Sequence, residues 1–332
     1  MLQKLLSGQV LSFDEAAVFM RQVMSDQVSP VRLSAALAAL RVRGESPQEI
    51  AGFASTMREF AIPVKVKSPL VMDIVGTGGD SENPFNISTT TIFVVSTAGV
   101  TVAKHGNRAA SSKSGSADLL EACGVNLNAS PETIEKAINT VGVGFLFARS
   151  YHPAMRFAAP VRAELGVRTV FNLLGPLTNP ATPTHQVVGV SSPHLVPVFA
   201  QVLQKLGLKR GIVVYGDGLD EFTTCGPNQV AELKNGEIHE YTIDPESVGM
   251  RCVAKTEIQG GDAQHNAEIT RAVLGGQGTQ AQRDIVALNA GVALYIAGQQ
   301  DSIEKGIQRA YEVLDSGEAL LKLQAYAALT HQ

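Results

Sequence analysis

The stretch VMDIVGTGGDSENPFNISTTTIFVV (residues 71–95) decides the reading of the fold. Four apolar residues around Asp73 lead into Gly76, Gly78 and Gly79, then Asp80, then a run of hydroxyl side chains that starts at Ser88. A short apolar run ending in glycines and followed by a helix-like segment is a strand–loop–helix unit. In open α/β sheets, ligands gather beyond the carboxyl ends of the strands. Glycine lets backbone N–H groups approach a ligand with no Cβ in the way. A helix beginning near Ser88 offers free N–H groups and the positive end of its dipole to an anion, and Thr89 and Thr90 add hydroxyl donors. A glycine turn required by backbone geometry alone would look the same, so the stretch by itself leaves both readings open. Two phosphate motifs are absent: no lysine follows the glycines as a P-loop requires, and a G-x-G-x-x-G pattern would need glycine where Ser81 stands.

The same rhythm continues along the chain. VTVAKHG, HQVVGVSS and RGIVVYGDG read as buried strands that run into turns. SADLLEACG, closed by Gly124, and PHLVPVFAQVLQKLG read as helices. Alternation of this kind predicts an α/β protein with a largely parallel central sheet flanked by helices. The first 62 residues are helical by contrast. Ser12 with Glu15 and Ser46 with Glu49 form capping-box patterns, and Pro47 takes a first helical position. SPVRLSAALAALRVRG runs from Ser29-Pro30 to Gly44 with Val31, Ala35, Ala38 and Val42 on one face, suited either to packing within the chain or to a subunit interface. IPVKVKSP (62–69) reads as a hinge. Segment 155–180 interrupts the α/β pattern, looks helical and is expected to rejoin the N-terminal helices. The predicted division is a small all-helical domain (1–66 with about 155–180) and a larger α/β domain (70–154 with 181–332).

The 332 residues are 45% hydrophobic and 17% charged with a net charge of -4, a globular rather than disordered composition. The mild acidity speaks against a nucleic-acid partner. Cys123, Cys225 and Cys252 are far apart and odd in number, with no zinc spacing, so a reducing cytoplasm is the expected location. MLQKLLSGQVLSFDEAAVFM carries Asp14 and Glu15 and lacks a continuous apolar core, so a secretory signal is not expected. No apolar run is long enough to span a bilayer, and no membrane partner is expected.

Two further strand-end segments carry chemistry. KHGNRAASSKSGSADLLEACG (104–124) offers Lys104, Arg108 and Lys113 interleaved with Ser111, Ser112, Ser114 and Ser116 ahead of a helix. Charge to neutralise and hydroxyls to orient suit a pyrophosphate, although a solvated basic loop has the same composition. YGDGLDEFT (215–223) brings Asp217, Asp220 and Glu221 into one turn. Crowded carboxylates are tolerated beside a cation, and hard oxygens suit Mg²⁺, although a polar loop at a strand end is the alternative. The seven histidines form no metal spacing, His152 reads as a packed or capping residue, and no serine-hydrolase elbow is present.

GTGGD, NIST, KHGNRAASSKSGSADLLEACGV, FNLLGPLTNPA and GDGLDE follow one another in the order found in the anthranilate phosphoribosyltransferase family, with GGDAQHNAEITRAVLGG (260–276) and LNAGVALYIAG (288–298) extending the likeness over nearly the whole chain. The chain resembles that family, whose fold is nucleoside phosphorylase-like. The resemblance implies Mg²⁺-dependent transfer of a phosphoribosyl group from phosphoribosyl pyrophosphate to the amine of anthranilate, in tryptophan biosynthesis, with two ions per subunit and a homodimer formed through the helical domain. It implies that the donor is held by Gly76, Gly79, Asp80, Pro84, Asn86, Ile87, Ser88 and Thr89. The loop Lys104, His105, Gly106, Asn107, Arg108, Ala109, Ala110, Ser111 and Ser112, with Ser116, would complete the donor site. It assigns Gly76, Asn107 and Arg162 to anthranilate and Ser88, Asp220 and Glu221 to the metal, with no covalent nucleophile. The sequence departs from relatives at SENP, where Pro84 removes a backbone N–H from the donor loop, and at Arg149 and Ser150, where many relatives carry proline and another polar residue. A pyrimidine nucleoside phosphorylase shares the fold, but the DGLDE carboxylates and KHGN favour the transferase. A non-catalytic nucleic-acid-binding relative would need a basic surface.

Overall fold

The structure is a computed structural model that describes residues 1–79, 82–109 and 113–332. Its centre is a seven-stranded sheet in the order β3-β2-β1-β4-β5-β6-β7. β1 is Met72–Gly76, β2 Val102–Gly106, β3 Val143–Phe147, β4 His185–Gly189 and β5 Arg210–Gly216. These five pair in parallel. β6 (Asn228–Lys234) and β7 (Glu237–Ile243) extend the sheet as an antiparallel hairpin. β1, β2 and β3 are buried except at their last residue, as strands covered on both faces must be. β7 is mostly exposed and carries Glu237, His239 and Glu240, the polar composition that protects an edge strand.

Alternation along β1 sends Met72 and Ile74 to one face and Val75 to the other. Met72 and Ile74 join Ile92, Phe93 and Val94 of the helix Ile87–Thr97 and the buried length of the helix Gln280–Ile296. Val75, Val188 and Val213 join Leu37, Leu40 and Phe53 of the N-terminal helices, together with Val161, Phe171 and Leu174. The short helices between Pro153 and Leu177 are thus packed against the N-terminal helices and the same sheet face.

Both capping boxes form, at Ser12 with Glu15 and at Ser46 with Glu49. Glu49 does more than cap. Fully buried, it accepts from the Leu11 N–H at 2.9 Å and from the Arg43 guanidinium. One stripe is reversed. On the helix Pro30–Arg43 the buried face is Leu33, Ala36, Leu37 and Leu40, whereas Val31 and Val42 are 80% and 89% exposed. Three leucines bury more apolar area than two valines and two alanines, so they take the core side. The Val31, Ala35, Ala38 and Val42 face therefore makes no core contact within this chain. Among the described residues no helix is long and apolar enough to cross a membrane.

Glu49→Ala would leave the Leu11 N–H and the Arg43 charge without their buried acceptor. The expected loss of stability is about 3 kcal/mol, read as a lower urea midpoint; an unchanged midpoint would mean that this hub is not limiting.

Candidate active site

The sheet order reverses between β1 and β4: from β1 the chain crosses to β2 on one side and later returns to β4 on the other. Such a switch point opens a crevice at the strand ends. Gly76 and Gly189 end β1 and β4 and are partners in register. The Asp220 turn lies directly across them, because a Cβ on Gly76 would collide with the Asp220 carboxylate and one on Gly189 with the Asp220 carbonyl. The Gly78 N–H donates to Asp220 Oδ2 at 2.6 Å, and the Ser88 N–H, in the first turn of its helix, donates to Glu221 Oε1 at 3.1 Å. Two backbone donors thus aim two neighbouring carboxylates at the crevice. Asp217 departs from them: its carboxylate meets Lys255 at 3.6 Å.

Lys104 is buried in β2 beneath this turn. Its ammonium donates to the Ile74 carbonyl and, at 3.2 Å, to Ser88 Oγ. Burial lowers its pKa, while Asp73, Glu221 and Asp220 oppose that shift. Burial pushes Asp73 up to about 6 against the pull of Lys104. Burial and then the Asp220 charge raise Glu221. Burial and a neighbouring carboxylate thus disfavour the charged form of Glu221, a condition that a hard cation relieves.

The second strand-end loop is organised by a residue that the sequence did not single out. Asp118 Oδ2 accepts from the Ala109 and Gly115 N–H groups, each at 2.9 Å, and Oδ1 accepts from Arg108 at 2.8 Å. Arg108 also forms a two-point pair with Glu121. Gly106 has no room for a Cβ beside Ser116 and Phe145, and Ser116 Oγ donates to the Asn107 carbonyl at 3.2 Å. Asn86 ties this loop to the first: its amide donates to the Ser114 carbonyl, and its Oδ1 accepts from Ser114 Oγ and from Asn266.

The remaining assigned residues are less uniform. Gly79 has φ 86° and its carbonyl accepts from Arg168 at 3.3 Å, with Gly78 accepting from the same guanidinium at 3.1 Å. Pro84 sits in an antiparallel bridge with Gln259. The flanking bonds run from Phe85 N–H to the Ile258 carbonyl and from Gly260 N–H to the Asn83 carbonyl, so this bridge does not use the N–H that proline lacks. Ile87 and Thr89 are buried in the helix start. Thr90, read from sequence as a ligand donor, instead bonds the Asn86 carbonyl and Thr270, because its helical position turns it toward a neighbouring helix. Arg162 is half-buried over the Phe171 ring at 5.2 Å, its pKa lowered by burial, with no ion pair among the described residues. Asp80, Ala110, Ser111 and Ser112 lie outside the described residues.

His105 turns away from the loop. Its Nδ1 meets the Gly175 carbonyl at 2.9 Å and its Nε2 meets His152 Nε2 at 3.2 Å, both rings buried. His152 is packed as its sequence context suggested. Sequence reading also missed Asn289, buried on the helix Gln280–Ile296, which accepts from the Phe222 N–H and donates to the Phe222 carbonyl, clamping the chain next to Glu221. Its signal was an amide inside the apolar run from Ile285 to Ile296, within the LNAGVALYIAG segment.

This bundle-plus-sheet architecture, with its site at the switch point, defines a glycosyl transferase. Residues 1–61 match the glycosyl transferase family, helical bundle domain, and residues 68–320 match the glycosyl transferase family, a/b domain. A relative from Deinococcus radiodurans, an anthranilate phosphoribosyltransferase, is 60% identical over 328 residues, covering 98% of this chain and 97% of the relative. The crystal structure of the Thermus thermophilus anthranilate phosphoribosyltransferase superposes with a TM-score of 0.95 at 50% identity, over 100% of this chain and 99% of that one. The Saccharomyces cerevisiae enzyme in complex with PRPP and Mg gives 0.89 at 28% identity, over 99% and 96%. The chain belongs to the anthranilate phosphoribosyltransferase family.

Burial, and then the neighbouring His152, hold His105 near a pKa of about 3, and burial holds His152 near about 4. Unfolded histidine titrates near about 6.5. Between these values the unfolded chain binds protons that the folded pair refuses. Stability is therefore full above about pH 6.5 and falls as pH drops toward 4, by up to about 1.4 kcal/mol per pH unit per histidine. His105→Asn should flatten this slope in urea titrations taken from pH 7 to 4.5. An unchanged slope would mean that other groups carry it.

Proposed function

We propose that this crevice performs the reaction of its family. The 5-phosphoribosyl group passes from phosphoribosyl pyrophosphate to the amine of anthranilate, giving N-(5-phosphoribosyl)anthranilate and pyrophosphate, the second step from chorismate toward tryptophan. The carrying observation is the convergence of two glycine-rich strand-end loops and one carboxylate pair on the β1–β4 switch point. The donor's phosphates lie between the loop from Gly76 to Thr89 and the loop from Lys104 to Ser116. Backbone N–H groups and hydroxyls fix their orientation there.

The carboxylate pair and Ser88 fit Mg²⁺. They are hard oxygen donors, backbone N–H groups hold both carboxylates, and burial and then the Asp220 charge raise the Glu221 pKa. Among the described residues no third His, Cys, Asp or Glu joins the pair, so oxygens of the donor's phosphates would supply further ligands, and the two ions per subunit rest on the family resemblance. Mg²⁺ held there would neutralise charge on the departing pyrophosphate. Arg162, desolvated over Phe171 and without an ion pair among the described residues, takes the anthranilate carboxylate, with Asn107 and Gly76 beside it. An aromatic amine is a nucleophile at neutral pH, so the chain supplies position and electrostatics rather than a strong base or a covalent nucleophile.

The helical part (1–66 with about 155–180) forms one domain and the sheet with its helices the other, with 62–69 as the hinge. The protein acts in the cytoplasm as a homodimer. The outward Val31 and Val42 face, which no part of this chain covers, supports a dimer contact there.

Asp220→Asn with Glu221→Gln should remove at least about 99% of the Mg²⁺-dependent loss of anthranilate fluorescence, the size of effect expected when one preorganised charge contact is lost, with an unchanged circular dichroism spectrum. Undiminished turnover would refute the metal assignment. Val31→Glu with Val42→Glu should convert a dimer to a monomer in sedimentation velocity; a dimer that persists places the contact elsewhere.

A further inference from the structure

At the other end of β4 and β5 the sheet holds a second opening of about 290 Å³. Arg58, in the last turn of the helix Pro47–Glu59, forms one wall. Thr182, in the turn into β4, forms another, and Leu203, Leu206, Leu208 and Lys209, at the end of the helix Leu195–Lys205 and its turn into β5, form the third. The strands separate this opening from the crevice. His185 and Arg210 begin β4 and β5 here, whereas Gly189 and Gly216 end them at the other side, a strand length of roughly 13 Å or more.

Arg58 is the reason to read a site. Its Nε donates to the Leu177 carbonyl at 2.7 Å, while the two terminal nitrogens of its guanidinium have no hydrogen-bond partner or ion pair among the described residues. They are not sealed from solvent either, since neither counts among the buried unsatisfied atoms. No carboxylate lines the opening, and the neighbouring Glu59 pairs with Arg21 instead. Burial lowers the Arg58 pKa to about 10, with Asp73 alone opposing that shift. Thr182 adds a second sign. Its φ is 44°, a left-handed conformation that costs a β-branched residue energy and that concentrates at ligand sites.

The lining also selects the ligand class. Arg58 and Lys209 supply two positive charges, and the ends of two helices direct carbonyls toward the same region, which tempers the field. A single negative charge is the better match than a dianion. Two half-buried leucines, Leu206 and Leu208, then offer apolar surface to the rest of the molecule. We propose that this opening binds a small monocarboxylate with an apolar tail, its carboxylate on Arg58 and Lys209 and its tail against Leu206 and Leu208. The turn that Arg58 holds also carries Gly175, whose carbonyl meets His105, and Asn179, whose amide donates to Asp73 at 2.8 Å.

Hexanoate is the probe, titrated into the full-length protein by calorimetry, with hexanamide and sulfate as controls. One hexanoate per chain is expected, with affinity reduced at least tenfold by Arg58→Gln and by Lys209→Glu, and no heat from hexanamide. Lys209 is exposed, so its variant tests the site even where the Arg58 variant fails to fold. Absence of binding, or binding unchanged in the Lys209 variant, overturns the proposal. So does sulfate competing as tightly as hexanoate, because the apolar lining would then be unused. Loss of hexanoate binding in Arg162→Gln alone also overturns it, since the probe would then occupy the acceptor site.

Discussion

One buried ammonium organises the catalytic end of this protein. Lys104 stands in the second strand of a parallel sheet and faces three carboxylates, Asp73, Asp220 and Glu221, that no other buried lysine answers. Taking that charge out of water is costly unless anions surround it. Asp73 is held by the His105 N–H and the Asn179 amide, Lys104 by the Ile74 carbonyl and Ser88, and Glu221 by the Ser88 N–H. The sheet, the helix that begins at Ile87, the turn at Glu221 and the segment around Asn179 are thus fastened to one another by charge. Asp220 and Glu221 lie side by side next to this one ammonium, and their closeness supports the cation site proposed for the crevice.

The glycines serve the same end by removing matter. Gly76 and Gly189 let the Asp220 turn settle onto the strand ends, and Gly106 lets Ser116 and Phe145 close around the second loop. Any side chain at Gly76 or Gly189 would lift the carboxylate pair away from the switch point. The charge arrangement therefore depends on a backbone packed closer than a Cβ allows. Asn289 and Arg168 supply the complementary restraint, one clamping the backbone beside Glu221 and the other capping the carbonyls of Gly78 and Gly79.

The opening around Arg58 shows the same chemistry at the opposite end of the strands, with the sign reversed: a desolvated cation with an unfilled hydrogen-bonding face. The turn from Gly175 to Asn179 lies between the two ends and touches both. A fold that spends one segment on holding Asp73, His105 and Arg58 has a short physical route between its two openings.

Much of this was legible in the order of residues. Apolar runs that end in glycine announced parallel strands and capping boxes at Ser12 and Ser46 announced helices, because each signal is local and rests on neighbouring backbone, whereas clustered glycines, hydroxyls and lysines at strand ends fitted an anion site and a plain turn equally. The residues that pattern could not find act across distance. Asp118, Asn266 and Asn289 each satisfy backbone or side-chain groups of another segment, and Asp73 and Lys104 meet only once two strands lie side by side. The helix face with Val31 and Val42, read as suited either to packing within the chain or to a subunit interface, faces outward, since the competition between two apolar stripes is decided by what lies opposite. Sequence by itself determined the elements and their alternation. Tertiary structure alone decided which carboxylates share one ammonium, which hydroxyls turn inward and which cations lack an ion pair among the described residues, because charge and burial are properties of neighbours in space.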